Sequence, residues 1–514
     1  MADAIFTQAA AYYGAGDFDA AARCALTVVA QTPDHFDALH LLGVICLNRG
    51  LLADAACYLE RAAQFQPDHP LLSVNRGNAW LALHQFSRAE TTSRRALVSE
   101  PGHLDALQNL AIALASQNRT QDAIEVYRTA LLHKPDHTPA LFNMAVALAA
   151  LDRLGEAEIA YRTALRTAPP SLPPSRMANI LSGLGGVLAA LDRPEEALAL
   201  FRSETAGRVE PLDLAWFTSL LHLQLGDYEP GWQAYESRWQ VPAHDRPHAN
   251  AVVPDIATVT GKRILVAGEQ GRGDIVQFAR YVPLLAERGA TVYLAAYDDL
   301  KVLLSTLPGV AGVIGEDELE PPHDIVAQVC SLPLAFRTTV ATIPANVPYL
   351  HADPHRAAAW RARLVGAPAR HIGLVWSSTN PGAARSMDLA RLGALLDCPN
   401  AVFHALQKDI GDADMAFMRA SGRLSDHRSA LTDFAETAAL IEALDLVITI
   451  DSAVAHIAGA MGKPVWIMLP HVAEWRWLRS RTDSPWYPSA RLYRQPTPGD
   501  WDGLVGQIAG ALGN

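Results

Sequence analysis

Prolines recur at one fixed interval along the first third of the chain. They stand 34 residues apart, at Pro33, Pro67, Pro101, Pro135 and Pro169. Proline stops a helix, and this interval holds two short helices with their turns, so it predicts a series of helical hairpins. A single hairpin cannot bury its apolar face alone, and neighbouring copies must therefore stack into a solenoid.

Small residues follow the same interval inside the first helix of successive copies. Gly43, Gly77, Ala111 and Ala145 mark positions at which we expect two helices to approach closely. A small residue in the first helix with a proline at the end resembles the tetratricopeptide repeat. Five regular copies and two less regular ones give about six to seven repeats, which we assign to residues 1–241.

Histidines form a third series with this interval, at His35, His69, His103 and His137. Each lies just after the proline of its copy, where the next helix begins. Neighbouring repeats lie about 10 Å apart, judged from helix packing distances, so these imidazoles are too far apart to share one metal ion. We expect them to serve in turns and at helix starts.

Asparagines form a fourth series, at Asn75, Asn109 and Asn143. Asparagine is a poor residue for a helix interior, so three in register need a reason. An outward amide can bind the backbone of an extended peptide, and the series resembles the asparagine ladder of eukaryotic O-GlcNAc transferase. This predicts a protein or peptide acceptor on the concave face of the repeats. The alternative is a hydrogen bond between neighbouring repeats.

Composition excludes several classes of protein. A formal net charge of −12 argues against a nucleic-acid partner. No stretch reaches the ~20 apolar residues of a membrane span, and the first residues lack a signal-peptide pattern, so we expect a cytoplasmic protein without a membrane span. The five cysteines are scattered without the spacing of a zinc site, so we expect neither disulfides nor a bound metal.

Beyond residue 241 the pattern changes to strands that alternate with helices. Apolar strands such as KRILVAG and DLVITI alternate with amphipathic helices such as DIVQFARYVPLLAERG, which predicts parallel sheets with right-handed crossovers. We assign residues 242–260 to a linker, 261–355 and 356–498 to two Rossmann-like lobes, and 499–514 to a terminal helix. The predicted fold class is α + α/β, an α-solenoid followed by two lobes that face a cleft.

The stretch DSAVAHIAGAMGKPVW begins where the strand DLVITI ends. Asp451 and Ser452 follow the strand, a helix starts near Ala453, and His456 lies in its first turn. Ligands of parallel sheets bind at the carboxyl ends of strands, and a helix N-terminus offers free N–H groups to an anion. The alternative is that Asp451 caps the helix and His456 is a core residue with its hydrogen bonds satisfied.

Three strings carry a resemblance to a known family: DSAVAHIAGAMGKPVW, GEQGRGD after the first strand, and EWRWLRSRTDSPWYPSARLYRQP near the end. Together they resemble bacterial proteins that join tetratricopeptide repeats to a glycosyltransferase of the heptosyltransferase type (family 9). The resemblance implies a GT-B fold in an architecture similar to O-GlcNAc transferase. It also implies inverting transfer of a sugar from a nucleotide-sugar donor, with no cofactor and no metal.

The resemblance implies roles for individual residues. Asp274 matches the proposed general base, which would take the proton of the acceptor hydroxyl. Lys408 matches a lysine that neutralises the leaving phosphate, and Arg385 is assigned similar work. Gln270 and Gly273, in the glycine-rich loop, are assigned to the donor site.

The same resemblance assigns the donor diphosphate to the start of the later helix. The backbone around Ser452, Ala453 and Val454 would cradle the phosphates. Asp451 would hold a sugar or ribose hydroxyl, and His456 would donate a hydrogen bond to phosphate.

Several of these assignments have structural alternatives. Asp274 and Gln277 have the spacing of a helix capping box. Val276 stands where a dinucleotide-binding fingerprint needs its third glycine, so that fingerprint is excluded. Trp475 and Trp477 either wall the cleft or pack in the core.

Two segments depart from the patterns of glycosyltransferases. The loop at residues 377–386 is shorter than in related chains, which predicts altered donor contacts by Asn380 and Arg385 or weakened activity. The string DADM at residues 412–415 has the form of a metal-binding DxD motif, but it lies in a helical stretch away from any strand end. We therefore assign no metal to it.

Three functions follow as hypotheses. The first is an inverting glycosyltransferase that modifies Ser or Thr hydroxyls of a protein recruited by the repeats; acceptors in such architectures include flagellins and other surface proteins. The second is transfer to a lipopolysaccharide or another glycan, with the repeats recruiting partner enzymes. The third is a peptide-binding scaffold whose transferase half has lost its chemistry.

Overall fold

The computed structural model describes residues 2–204, 214–240, 248–364, 370–378 and 385–513. The chain divides into two compact units. The first holds the helices up to residue 191, and the second holds residues 192–199, the last helical hairpin and the whole α/β part. Residues 242–247 of the predicted linker lie outside the described residues.

Fourteen helices form seven hairpins within the described residues up to 240, as the proline interval predicts. Their bounds are α1 (Ala2–Gly14), α2 (Phe18–Gln31), α3 (Phe36–Asn48), α4 (Leu52–Ala63), α5 (Pro70–Ala82), α6 (Phe86–Ser99), α7 (Leu104–Ser116), α8 (Thr120–His133), α9 (Thr138–Ala150), α10 (Leu154–Thr167), α11 (Pro174–Ala190), α12 (Pro194–Glu204), α13 (Ala215–Leu225) and α14 (Tyr228–Tyr235). A 3₁₀ turn, Glu236–Gln240, follows α14.

The small residues of the repeats lie where helices touch, as predicted. A Cβ atom on Gly43 would lie 2.5 Å from Cγ of Leu59, and one on Gly77 would lie 3.0 Å from Nδ2 of Asn109. The alanines at the two following positions are fully buried. All four histidines occupy N-cap positions, as expected. Nδ1 of His35 and of His69 accepts a hydrogen bond from the amide three residues later at 3.3 Å, whereas His103 and His137 make no such bond.

The first sheet of the second unit has four parallel strands in the order β3-β2-β1-β4. They are β1 (Arg263–Ala267), β2 (Thr291–Ala295), β3 (Val310–Ile314) and β4 (Ile325–Gln328). The accompanying helices are α15 (Arg272–Phe278), α16 (Tyr281–Glu287), α17 (Asp298–Leu304) and α18 (Leu332–Ala335). The next helix, α19 (Pro354–Arg363), packs against a helix of the second sheet, where Nε1 of Trp360 donates to Oε2 of Glu436 at 2.9 Å.

The helix predicted over DIVQFARYVPLLAERG is two helices, because the chain turns between α15 and α16. Pro283 explains the break. Proline has no N–H to donate to the carbonyl four residues earlier, which belongs to Ala279, and its ring crowds that position.

The second sheet has six parallel strands in the order β10-β9-β8-β5-β6-β7. They are β5 (Arg370–Val375), β6 (Ala401–Ala405), β7 (Leu424–Asp426), β8 (Leu446–Ile450), β9 (Val465–Leu469) and β10 (Ala490–Arg494). Its helices are α20 (Gly393–Leu396), α21 (Asp412–Ser421), α22 (Phe434–Ala443), α23 (Ala453–Ala460) and α24 (Trp501–Gly513).

Each sheet has a topological switch point, where the order of strand addition reverses. The strand order reverses between β1 and β4 in the first sheet and between β5 and β8 in the second. In open parallel sheets, ligands bind in the crevice at the carboxyl ends of the strands beside such a point. All five residues of β8 are buried, as expected for a strand that lies between β9 and β5 in the interior of the sheet. Within the described residues, no helix is long and apolar enough to cross a membrane.

Three histidines form a stacked ladder across the second sheet. His371 on β5, His404 on β6 and His427 after β7 have successive ring centroids 5.2 Å apart. Nitrogen atoms of neighbouring rings lie 3.0 Å apart, which is hydrogen-bond distance. Burial, with the two neighbouring imidazoles, lowers the pKa of His404 to about 4. His404 is therefore neutral in the folded protein at neutral pH.

This ladder predicts acid sensitivity of the second unit. In the unfolded chain His404 takes up a proton near pH 6.5, whereas in the folded chain it does so only near pH 4. The contribution of His404 to the free energy of unfolding is therefore fully present above pH 6.5 and is lost as the pH falls towards 4. It is on the order of 3 kcal/mol. In His404→Gln the fall of Tm over this range should be smaller, whereas the surface variant His133→Gln should retain it. The same slope in both variants would contradict the assignment.

Candidate active site

A cleft of about 760 Å³ lies at the carboxyl ends of strands from both sheets. Its walls come from the segments that follow β1, β5, β6, β7, β8 and β9, so it occupies the switch points that strand order marks. The residues assigned from the sequence to the base and to the donor site line it, except Asn380, which lies outside the described residues. These residues are Gln270, Gly273, Asp274, Arg385, Lys408, Asp451, Ser452, Ala453 and His456.

The helix start after β8 presents its first amides to this cleft. Ser452 is the N-cap of α23, in an extended conformation, and its side chain does not cap the helix. Its hydroxyl instead pairs with Oγ1 of Thr449 at 2.9 Å. The first N–H groups of a helix have no partner within the helix, and Ala453 and Val454 line the cleft. This end of α23 can therefore receive an anion.

Asp451 faces the cleft and does not cap the helix. Its side chain is 7% exposed. Oδ2 lies 3.8 Å from Nη1 of Arg385, and Oδ1 lies 3.9 Å from Nε2 of His456. Burial raises the pKa of Asp451, while the charges of Arg476 and Arg385 oppose that rise. The carboxylate is thus buried beside two arginines and an imidazole.

His456 is a buried, neutral imidazole. It is 4% exposed, it stacks on Trp477 with ring centroids 5.5 Å apart, and burial lowers its pKa well below the usual value. Nδ1 lies 2.9 Å from the hydroxyl of Tyr487. When that hydroxyl donates to Nδ1, the ring proton sits on Nε2, the atom nearer to Asp451. His456 then offers a hydrogen-bond donor without a positive charge.

Asp274 stands opposite, on the glycine-rich loop after β1. Its Oδ2 accepts a hydrogen bond from the amide of Gly271 at 2.9 Å, and its Oδ1 is ion-paired with Arg476. The side chain keeps 19% exposure. The predicted capping box of Asp274 with Gln277 is wrong, because α15 begins earlier and Asp274 lies inside its first turn.

Arg476 was missed by sequence reasoning, although it lies in a string that carries the resemblance. It is 8% exposed and crosses from the second sheet to the first. Its guanidinium binds Asp274 and Glu474, and Nε donates to Oε1 of Gln277 at 2.6 Å. Glu474 lines the cleft with 36% of its side chain exposed, and the surrounding walls raise its pKa to about 7.

The remaining positive charges of the wall are more accessible. Lys408 follows β6 and is exposed; among the described residues it forms no ion pair. Arg385 is 45% exposed. Between them lies Gln407, which was also missed, and its Oε1 accepts hydrogen bonds from the amides of Trp376 and Ser377 at 3.1 and 3.0 Å. Gln407 thereby ties the ends of β5 and β6 together.

Comparisons with known proteins divide the chain in the same way. The tetratricopeptide repeat model matches residues 6–70, 74–136 and 109–171. The model of glycosyltransferase family 9 (heptosyltransferase) matches residues 429–468, which contain α22, β8 and α23. Protein FlbA of Caulobacter vibrioides is 26% identical over 528 residues, covering 96% of this chain and 87% of that protein.

The chain joins tetratricopeptide repeats to a heptosyltransferase-like domain. Two solved structures are similar to part of the chain. A tetratricopeptide repeat protein from Parabacteroides merdae is 15% identical with a TM-score of 0.40, covering 47% of this chain and 93% of that one. MamA from Desulfovibrio magneticus is 20% identical with a TM-score of 0.30, covering 33% of this chain and 93% of that one.

The asparagine series of the repeats makes contacts between neighbouring copies. Nδ2 of Asn75 lies 2.8 Å from Nε2 of His40, and Nδ2 of Asn109 donates to the carbonyl of Val74 at 3.2 Å. Asn109 is 5% exposed, which favours the inter-repeat alternative for this member. Asn143 is half-buried. Peptide binding by the series stays a prediction.

Two other sequence features of the heptosyltransferase-like domain are structural. Trp475 and Trp477 pack in the core, with 4% and 0% exposure, which is the second of the two alternatives stated for them. In the DADM string, Asp414 accepts hydrogen bonds from Nε1 of Trp376 at 2.7 Å and from the amide of Leu389 at 2.9 Å. Residues 379–384 of the short loop, including Asn380, lie outside the described residues.

The close contact between Gly273 and His456 can be tested by adding a methyl group at position 273. A Cβ atom there would lie 2.8 Å from Cδ2 of His456, whose ring is held by Trp477 and Tyr487. Gly273→Ala should therefore lower the free energy of unfolding by about 1–3 kcal/mol and weaken nucleotide binding. Gly393→Ala is the matched control, because its Cβ would meet nothing within 4 Å. Equal stability of the two variants, measured by denaturant unfolding, would contradict this packing.

Proposed function

We propose that the chain is an inverting, metal-independent glycosyltransferase that moves a sugar from a nucleotide-sugar donor to a Ser or Thr hydroxyl of a protein acceptor. One observation carries the proposal: a single cleft brings the carboxylate of Asp274 together with the first amides of α23 and two accessible cations, Lys408 and Arg385. A transferase of this kind needs a base for the acceptor and positive potential for the leaving nucleotide.

The donor phosphates would bind at the start of α23. The amides of Ala453 and Val454 and the Nε2–H of His456 are donors for phosphate oxygens, and the neutrality of His456 leaves the compensating charge to Lys408 and Arg385. Charge-assisted hydrogen bonds of this type strengthen where water is excluded. Asp451 is the acceptor available for a sugar or ribose hydroxyl.

Transfer would proceed by direct displacement at the anomeric carbon. The acceptor oxygen attacks from the face opposite the phosphate, and Asp274 takes its proton. The bond between the anomeric carbon and the phosphate oxygen breaks, and the nucleotide leaves with the electron pair. Inversion follows because attack and departure occur on opposite faces. The exposed part of the Asp274 carboxylate gives the acceptor its access.

The acceptor class follows from the repeats, because solenoids of this kind usually bind polypeptide along their concave face. We therefore place a protein acceptor first, with flagellin and other surface proteins as the members to test. Transfer to a lipopolysaccharide or another glycan is the second candidate. A scaffold without chemistry is the third, and it would leave the convergence of the nominated residues on one cleft without a purpose.

The role of Asp274 is tested by Asp274→Asn in the whole chain. The amide keeps the shape of the side chain but cannot take a proton, so the rate of transfer should fall by about 10²–10⁴-fold with little change in nucleotide affinity. Asp412→Asn, on an exposed helix outside the cleft, is the control. Full activity of the Asp274 variant would remove this residue from the mechanism.

The role of the cations is tested by Lys408→Ala together with a chelator. If Lys408 and Arg385 supply the charge for the departing nucleotide, transfer should persist in EDTA, and the lysine variant should lose at least tenfold in rate in either buffer. Thermal shift with UDP, GDP, ADP and CMP sugars identifies the donor. Loss of activity in EDTA would contradict metal-independent transfer, and no shift with any donor would favour the scaffold.

A further inference from the structure

The last helical hairpin, α13 and α14, contacts the loop that carries the proposed base. It belongs to the same compact unit as the α/β part, although its sequence continues the repeat pattern. Nε1 of Trp232 donates to the carbonyl of Thr338 at 3.0 Å, and an aromatic cluster joins Trp232 to Phe278 and Trp475. The hairpin is thus packed into the transferase core.

A buried ion pair fixes the turn that follows α14 to Glu269, the second residue of the loop. Arg238 is 0% exposed and Glu269 is 4% exposed. Nε and Nη2 of Arg238 donate to the two carboxylate oxygens of Glu269, each at 2.8 Å, and Nη2 also donates to the Ser331 hydroxyl. Breaking a buried pair leaves an uncompensated charge, so this contact holds Glu269 in one place.

Gln270 is held on two sides. Its Nε2 donates to the hydroxyl of Tyr235 on α14 at 3.0 Å, and its carbonyl accepts from the hydroxyl of Tyr297 at 2.8 Å. Its φ is 60°, in the left-handed region that residues other than glycine disfavour. Such a conformation persists only where its surroundings impose it. Tyr235, which is 1% exposed, is one of the two groups that do so.

The chain from Gln270 leads directly to the base. Gly271 follows, and its amide donates to Oδ2 of Asp274 at 2.9 Å. The direction of that amide depends on the backbone of Gln270, because the two share a peptide plane. The hydrogen bond between Tyr235 and Gln270 therefore influences the position of the Asp274 carboxylate through Gln270 and Gly271.

We propose that the last hairpin is a working part of the transferase, in which Tyr235 and Arg238 are positioning residues that set the loop of Asp274. This inference rests on the proposed function of the cleft. Neither residue lines that cleft, so neither touches the donor or the reacting atoms. The hairpin acts through Glu269 and Gln270.

Tyr235→Phe in the whole chain tests the proposal, because it removes one hydroxyl and keeps the ring packing. The turnover number should fall about tenfold, while the KM for the nucleotide sugar should change less than the turnover number does, because the proposed phosphate contacts at α23, Lys408 and Arg385 lie on the second sheet. Tyr281→Phe is the matched control. Tyr281 is fully buried, and its hydroxyl binds Thr338 at 2.7 Å, away from the loop.

A second measurement compares the turnover number of the double variant Tyr235→Phe/Gln270→Met with that of Gln270→Met. This comparison does not rely on the single variant Tyr235→Phe being fully folded. If Tyr235 acts through Gln270, the double variant should be no slower than Gln270→Met alone. Multiplied losses would overturn the inference, and so would a Tyr235 variant that matches Tyr281→Phe. A wild-type chain with neither transfer nor donor hydrolysis would overturn the proposed function and this inference together.

Discussion

The heptosyltransferase-like domain depends on one close approach, the contact of α15 with α23 where Gly273 meets His456. Both helices begin at the cleft, one after β1 and the other after β8, so this contact sets the distance between the loop of Asp274 and the amides of α23. Arg476 spans the same gap with its ion pair to Asp274. Without the hydrogen side chain at position 273, the two halves of the site would move apart.

Charge is distributed unevenly around this contact. Arg476 is surrounded by the carboxylates of Asp451, Glu474 and Asp274. Burial raises the pKa values of Asp451 and Glu474. Keeping such groups near one another out of water costs free energy, and perturbed titration of this kind clusters at functional sites. The accessible cations, Lys408 and Arg385, lie at the wall where a phosphate would arrive. These groups are the ones that the proposed donor, with its hydroxyl and anionic groups, would require.

Local signals predicted much of this molecule. The 34-residue interval gave the hairpins because each hairpin is a local unit, and the residues after strand ends gave the cleft because parallel strands bring their carboxyl ends to one edge. Arg476 and Gln407 were not predicted as site residues, because the main groups to which they hydrogen-bond are distant in the sequence. The break before α16 was not predicted, because the amphipathic pattern of DIVQFARYVPLLAERG continues through Pro283.

The division of the chain has a consequence for recombination. The compact unit that carries the cleft begins before α13, so the natural seam lies one hairpin upstream of the end of the repeat pattern. A chimera that replaces the whole repeat array up to the end of the pattern would replace Arg238 and so break its buried ion pair with Glu269. Chimeras joined at the earlier seam would exchange the upstream repeats and leave this buried pair intact.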